Sequence, residues 1–140
     1  MELLPAKSLI LAACRGDVRD NHPVLRWASD LSDLHQQLLS TSGSMRDEID
    51  CWRTELIGDI NLWVAQQLPP SLGCARLHTE SLGAVIDRLA KFTACAFAEL
   101  SGTGEWELRE AWERLAELAV GYEDLTEEVS TGRRRLPNRH

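Results

Sequence analysis

The chain has 140 residues, 44% of them hydrophobic and 26% charged, which suffices for one domain with a buried core and argues against disorder over most of its length. Its formal net charge of −7 disfavours contact with a phosphate backbone, so no nucleic-acid partner is expected. The four cysteines, Cys14, Cys51, Cys74 and Cys95, show no C-x-x-C spacing. That argues against a zinc knuckle or dithiol redox pair, and for a reduced, cytoplasmic protein.

Strand signals are nearly absent, and helical periodicity recurs between clear stops. A first short helix is expected over residues 6 to 14, ending near Gly16. Within it, Leu11-Ala12-Ala13-Cys14 imitates a lipoprotein cleavage site, but Glu2 and Lys7-Ser8 leave too short an apolar run for a secretory signal. No segment reaches the roughly 20 apolar residues needed to cross a bilayer, so no membrane partner is expected. Asn21-His22-Pro23 reads as cap and first turn of a second helix, because proline's fixed φ suits that position. Its apolar stripe is Val24, Trp27, Ala28, Leu31, Leu34 and Leu38.

After the turn formers Ser40 to Gly43, Ser44 reads as the cap of a third helix, with Asp47 and Glu48 near the positive end of its dipole. Ile49, Trp52, Leu56, Ile60 and Trp63 form its stripe, and Pro69-Pro70 stops it. A fourth helix is expected over residues 78 to 100, closed by Ser101-Gly102-Thr103-Gly104. A fifth runs from about Glu105 to Val129 with Leu108, Ala111, Leu115, Leu118, Tyr122, Leu125 and Val129 inward. The economical architecture is all-α: an antiparallel four-helix bundle with an additional short N-terminal helix laid across it. Residues 1–132 form the single bundle domain, and residues 133–140, with Arg133-Arg134-Arg135, form a basic flexible C-terminal tail.

The fourth helix, HTESLGAVIDRLAKFTACAFAEL, is the least ordinary segment. Thr79 reads as its cap and Glu80 as a first-turn carboxylate. Gly83 costs about 1 kcal/mol relative to alanine in a helix interior, so another backbone is expected to pass close by. Asp87 and Arg88 point apart; Asp87 is expected to meet Lys91 one turn on, and Arg88 to reach a different helix. Opposite the apolar stripe lie Ala84, Ala94, Cys95 and Ala98, a small-residue back suited to the first helix or to a second copy of the chain.

Glu80-Ser81-Leu82-Gly83-Ala84-Val85-Ile86-Asp87-Arg88-Leu89 resembles the E-T-P-G-S-x-I-D-R-L-S signature of an uncharacterised bacterial domain-of-unknown-function family, its short actinobacterial members above all. Arg53-Thr54-Glu55 and Ile60-Asn61 are similar to an Arg-Asn-Asp and an Ile-Asp of the same family. Leu82 replaces the family's proline, and Thr54-Glu55 replace Asn-Asp. The resemblance, over roughly residues 45 to 100, implies an all-helical fold with Glu80, Gly83, Asp87 and Arg88 as family-motif residues. It implies no reaction.

Polar groups on core-facing stripes each need a partner, since burying one alone costs about 1–3 kcal/mol. His35, Arg53 and His78 turn inward, Asp59 borders the third stripe, and Tyr122 lies within the fifth. Together they are the candidate residues of a site between helices that holds a small anionic ligand, with arginine for the anion and histidines for proton transfer. No metal is expected: the chain has no E-x-x-H pair, and Glu110, Glu113, Glu117, Asp124 and Glu128 fall opposite the fifth stripe, toward water. There is no G-x-S-x-G elbow, no glycine-rich phosphate loop and no expected cofactor. Trp106 and Trp112 lie off the centre of the fifth stripe, as aromatic residues often do where a second protein packs. Two readings follow: an interaction or assembly module acting as a homodimer, and alternatively a small enzyme or ligand-binding protein.

Overall fold

The computed structural model describes residues 3–100 and 104–137, and is all-α apart from one pair of two-residue strands. Helix α1 spans Lys7–Cys14 and ends where Gly16 adopts a positive φ of 91°. Helix α2, Pro23–Ser40, begins as the proline predicts, and His22 is its N-cap: Nδ1 accepts from the Val24 N–H at 3.1 Å. The other ring nitrogen of His22 lies 2.9 Å from the Leu3 carbonyl oxygen, and the ring stands edge-on to Trp63. One side chain thus starts a helix and ties down the segment ahead of α1.

Helix α3, Ser44–Gln67, starts one residue earlier than its expected cap allows. Gly43, at φ 74°, holds the N-cap position without a side-chain bond, and Ser44 is already helical. Helix α4 differs in the opposite sense. It spans Leu82–Glu99, not residues 78 to 100, and its cap is Ser81, whose Oγ accepts from the Ala84 N–H at 3.1 Å. Thr79 is no cap, and Glu80 precedes the helix. The cause lies upstream, in the extended strand β1, Arg76–Leu77. It pairs in parallel with β2, Arg134–Arg135, and the His78 N–H donates to the Arg135 carbonyl at 2.7 Å. Residues held in a ladder cannot also be the first turn of a helix.

The same pairing engages the start of the expected basic tail. Arg133 and Arg134 bond to Glu127 and Glu128 at the end of helix α5, Glu105–Ser130, and residues 134–135 lie in the ladder. The expected stop at Ser101-Gly102-Thr103 lies outside the described residues.

Helix α4 is the hub. It contacts α1, α2, α3 and α5, while α2 lies against both α1 and α3, and α1 also touches α5. Among the described residues the backbones of α3 and α5 do not approach one another. Ile86, Leu89, Ala90 and Ala96 of α4 are fully buried and Ala94 almost so, whereas of the rest of its small-residue back Ala84 and Cys95 are half-buried and Ala98 is exposed. Small side chains there let neighbouring helices come close. Helix α1 contributes Ile10, Ala13 and Cys14 to the central core rather than resting on its outside.

Candidate functional site

Asp87 sits in the second turn of α4, where the helix is walled by α2 and α3, and is 7% exposed. A carboxylate in that setting needs strong partners. Its Oδ1 accepts from His35 Nε2 of α2 at 2.8 Å, and its Oδ2 accepts from Arg53 Nη1 of α3 at 2.7 Å. His35 is itself 6% exposed, while the Arg53 side chain keeps 27% of its surface and also reaches Asp50 at 3.3 Å. Three helices are therefore joined through one carboxylate. The expected Asp87–Lys91 pair is replaced because the buried partners can both donate at once, and Lys91 stays exposed.

The remaining motif residues have equally definite places. Gly83 packs against α3: its N–H donates to Asn61 Oδ1 at 2.8 Å, and an added Cβ would stand 2.6 Å from that oxygen and 2.7 Å from the Ile57 carbonyl oxygen. Arg88 reaches back to Glu80 Oε1 at 2.8 Å, bracing the turn before α4 rather than a different helix.

Of the five expected site residues, only His35 and Arg53 meet. Asp59 is exposed, on the rim of a separate cleft between α2 and α3 that it shares with Asp30, Asp33 and Glu55 around Trp52. His78 is half-buried and folds onto its own loop, with Nδ1 2.8 Å from the Glu80 carbonyl oxygen and 3.2 Å from the Glu80 nitrogen. Tyr122 is buried against α1's approach, its hydroxyl donating to the Pro5 carbonyl at 2.7 Å. His35, Arg53 and Asp87 line none of four candidate clefts on the described surface. The hub of the arrangement is Asp87, which spacing alone assigns to a surface pair; its signal in the sequence is a lone carboxylate inside an apolar run.

Chemically the cluster is a tie. Both carboxylate oxygens are taken, and no buried side-chain nitrogen or oxygen among the described residues lacks a partner. Nor do three or more His, Cys, Asp or Glu side chains among the described residues gather as ligands for an ion. On α5, Glu113, Glu117 and Asp124 are exposed, and Glu110 and Glu128 are paired with Arg114 and Arg134. No described helix is long and apolar enough to cross a membrane.

An all-α chain whose signature residues stitch α2, α3 and α4 together is a helical domain of a particular kind. It belongs to the family described as Protein of unknown function (DUF4254), whose model matches residues 33–138. The match takes in His35, Arg53, Asn61 and Asp87, and leaves α1 outside. No curated protein and no solved structure matches the chain.

Proposed function

We propose that the protein is a non-catalytic helical interaction module that acts as a homo-oligomer, with α2 to α5 as an antiparallel bundle and α1 packed into it. The observation that carries this reading is the use made of the inward polar residues. His35 and Arg53 are spent on Asp87, Tyr122 on the chain ahead of α1, and His78 on its own turn. A site for chemistry needs groups converging on a space that a substrate can enter.

Self-association is supported by apolar side chains around the junction of α4 and α5. Phe97, Leu100 and Trp106 are exposed, Trp106 by 70%. Phe97 stands edge-on to half-buried Trp112, with ring centroids 5.4 Å apart. Large rings left in water at one end of a domain favour a second protein surface. Ala98, exposed on the back of α4 beside Phe97, lies next to this patch, while Ala94 is covered inside the chain.

Sedimentation velocity over a concentration series tests the reading. The wild-type chain is expected to dimerise and Trp106→Ala to shift it toward monomer. A wild-type chain that stays monomeric at every concentration rejects it.

A further inference from the structure

A cavity of about 540 Å³ opens where α3 and α5 part company above the first turn of α4. Its volume lies within the roughly 300–1,000 Å³ of sites that take small molecules. Val64, Leu82 and Val129, all buried, come from the three helices, and Leu136 closes the far side after β2. The surroundings are fixed by the strand pair and by the Leu72 N–H, which donates to the Gly132 carbonyl at 2.9 Å. Helices α3, α4 and α5 and strand β2 therefore supply much of the wall, and residues 68–71 and 136–137 complete it.

Charge is the unusual feature. The chain carries 22 acidic and 15 basic residues, yet among the described residues the only charged ones lining this space are Arg134 and Arg135. Arg134 is paired with Glu128 at 3.2 Å. The Arg135 side chain makes no hydrogen bond or ion pair among the described residues, although its backbone is held in the ladder. Ser81 adds a hydroxyl at the rim, beside the positive end of the 18-residue α4 dipole. An apolar floor with a guanidinium available above it, in an otherwise acidic protein, selects for one kind of molecule.

We infer that this cavity binds a small amphipathic anion, a short apolar body bearing a single carboxylate or phosphate head. The body lies on Val64, Leu82, Val129 and Leu136, and the head meets Arg135 with Ser81 in reach. The site shares no residue with the Asp87 tie or with the α4–α5 junction, so it stands or falls independently of the interaction reading.

Isothermal titration of the full chain with octanoate, octyl phosphate, octanol and inorganic phosphate tests the inference. Saturable binding of octanoate or octyl phosphate is expected, with octanol and inorganic phosphate at least about tenfold weaker, because each lacks one half of the recognition. Arg135→Gln should weaken the anion by about tenfold and leave octanol unchanged. Ala65→Phe, at an exposed lining position, should fill the space and weaken every probe. Both variants are expected to unfold at the wild-type midpoint without ligand, which separates lost binding from lost fold. No saturable binding of either amphipathic anion overturns the inference, as does binding that both variants leave unchanged.

Discussion

A Cβ on Gly83 would stand 2.7 Å from the Ile57 carbonyl oxygen, so α3 and α4 meet nearly backbone to backbone at that point. The obstacle is main chain, which cannot swing aside as a side chain would. Gly83→Ala should therefore destabilise the fold by about 1–3 kcal/mol, overriding the roughly 1 kcal/mol that alanine gains in a helix. Gly58→Ala and Gly121→Ala, where an added Cβ meets nothing within 4 Å, should be neutral or stabilising by up to about 1 kcal/mol. Urea unfolding of the three variants reads the contrast directly.

Asp87→Ala removes one acceptor and strands two donors. Arg53 can turn to Asp50 and water, whereas His35 is left in the core. A loss of about 3 kcal/mol is expected, and more from the Asp87 change than from Arg53→Ala. A double-mutant cycle between His35→Ala and Asp87→Ala should give a coupling of at least about 0.5 kcal/mol; additive losses would mean that the contact contributes nothing.

Tyr122→Phe leaves the Pro5 carbonyl short of its buried donor. The expected cost is about 1–2 kcal/mol, with faster proteolysis near the start of the chain, since this bond anchors the segment ahead of α1. Limited proteolysis followed by mass analysis shows where cutting begins.

Burial pushes the Cys14 thiol up from 9.0 to about 12, against smaller opposing effects of a hydrogen bond with Thr93 and the charge of Arg15. The folded chain thus holds this proton after the unfolded chain has released it. Stability due to this group is complete below 9.0 and is lost as pH rises toward about 12. Wild-type protein should lose stability more steeply than Cys14→Ala across that window. At neutral pH a thiol reagent should label exposed Cys51 and Cys74 quickly and Cys14 only after unfolding.

Asp30 is raised too, first by burial and then by the neighbouring Asp33 carboxylate, with Arg26 acting the other way. A raised carboxyl opposes folding while it is ionised. Asp30→Asn should therefore stabilise the protein at neutral pH, with the gain vanishing as pH falls through the carboxylate range. Thermal melts at the two ends of that range check the sign.

Much of the fold was legible because helices declare themselves locally. Pro23 behind His22, Pro69-Pro70, and the repeating stripes of α2 and α5 all carry their meaning within a few residues. What failed was set by distant chain. Thr79 has a cap's chemistry, but Arg134 and Arg135, far along the sequence, hold the residues just before it in a ladder. Asp87 and Lys91 have the spacing of a pair, but His35 and Arg53 arrive from other helices. His35 and Arg53 were legible as inward-facing; that they face the same carboxylate was not, because angular position on one helix says nothing about which neighbour lies opposite. Gly83 was the exception, since a glycine in a helix interior announces a close approach without naming what approaches.

The hub position of α4 has a consequence for synthesis. Three of the helices that enclose it are made before it, and the last, α5, is made after. A nascent chain halted at residue 104 carries the flank of α4 that α5 will pack against, including the side of Phe97 that meets Trp112, still facing water. Domains with such a late-covered flank are prone to aggregate while they wait, and chaperones recognise bare apolar surface of this kind. The final helix therefore works as the lid of the core, and a ribosome slow to deliver it would leave the protein at its most vulnerable.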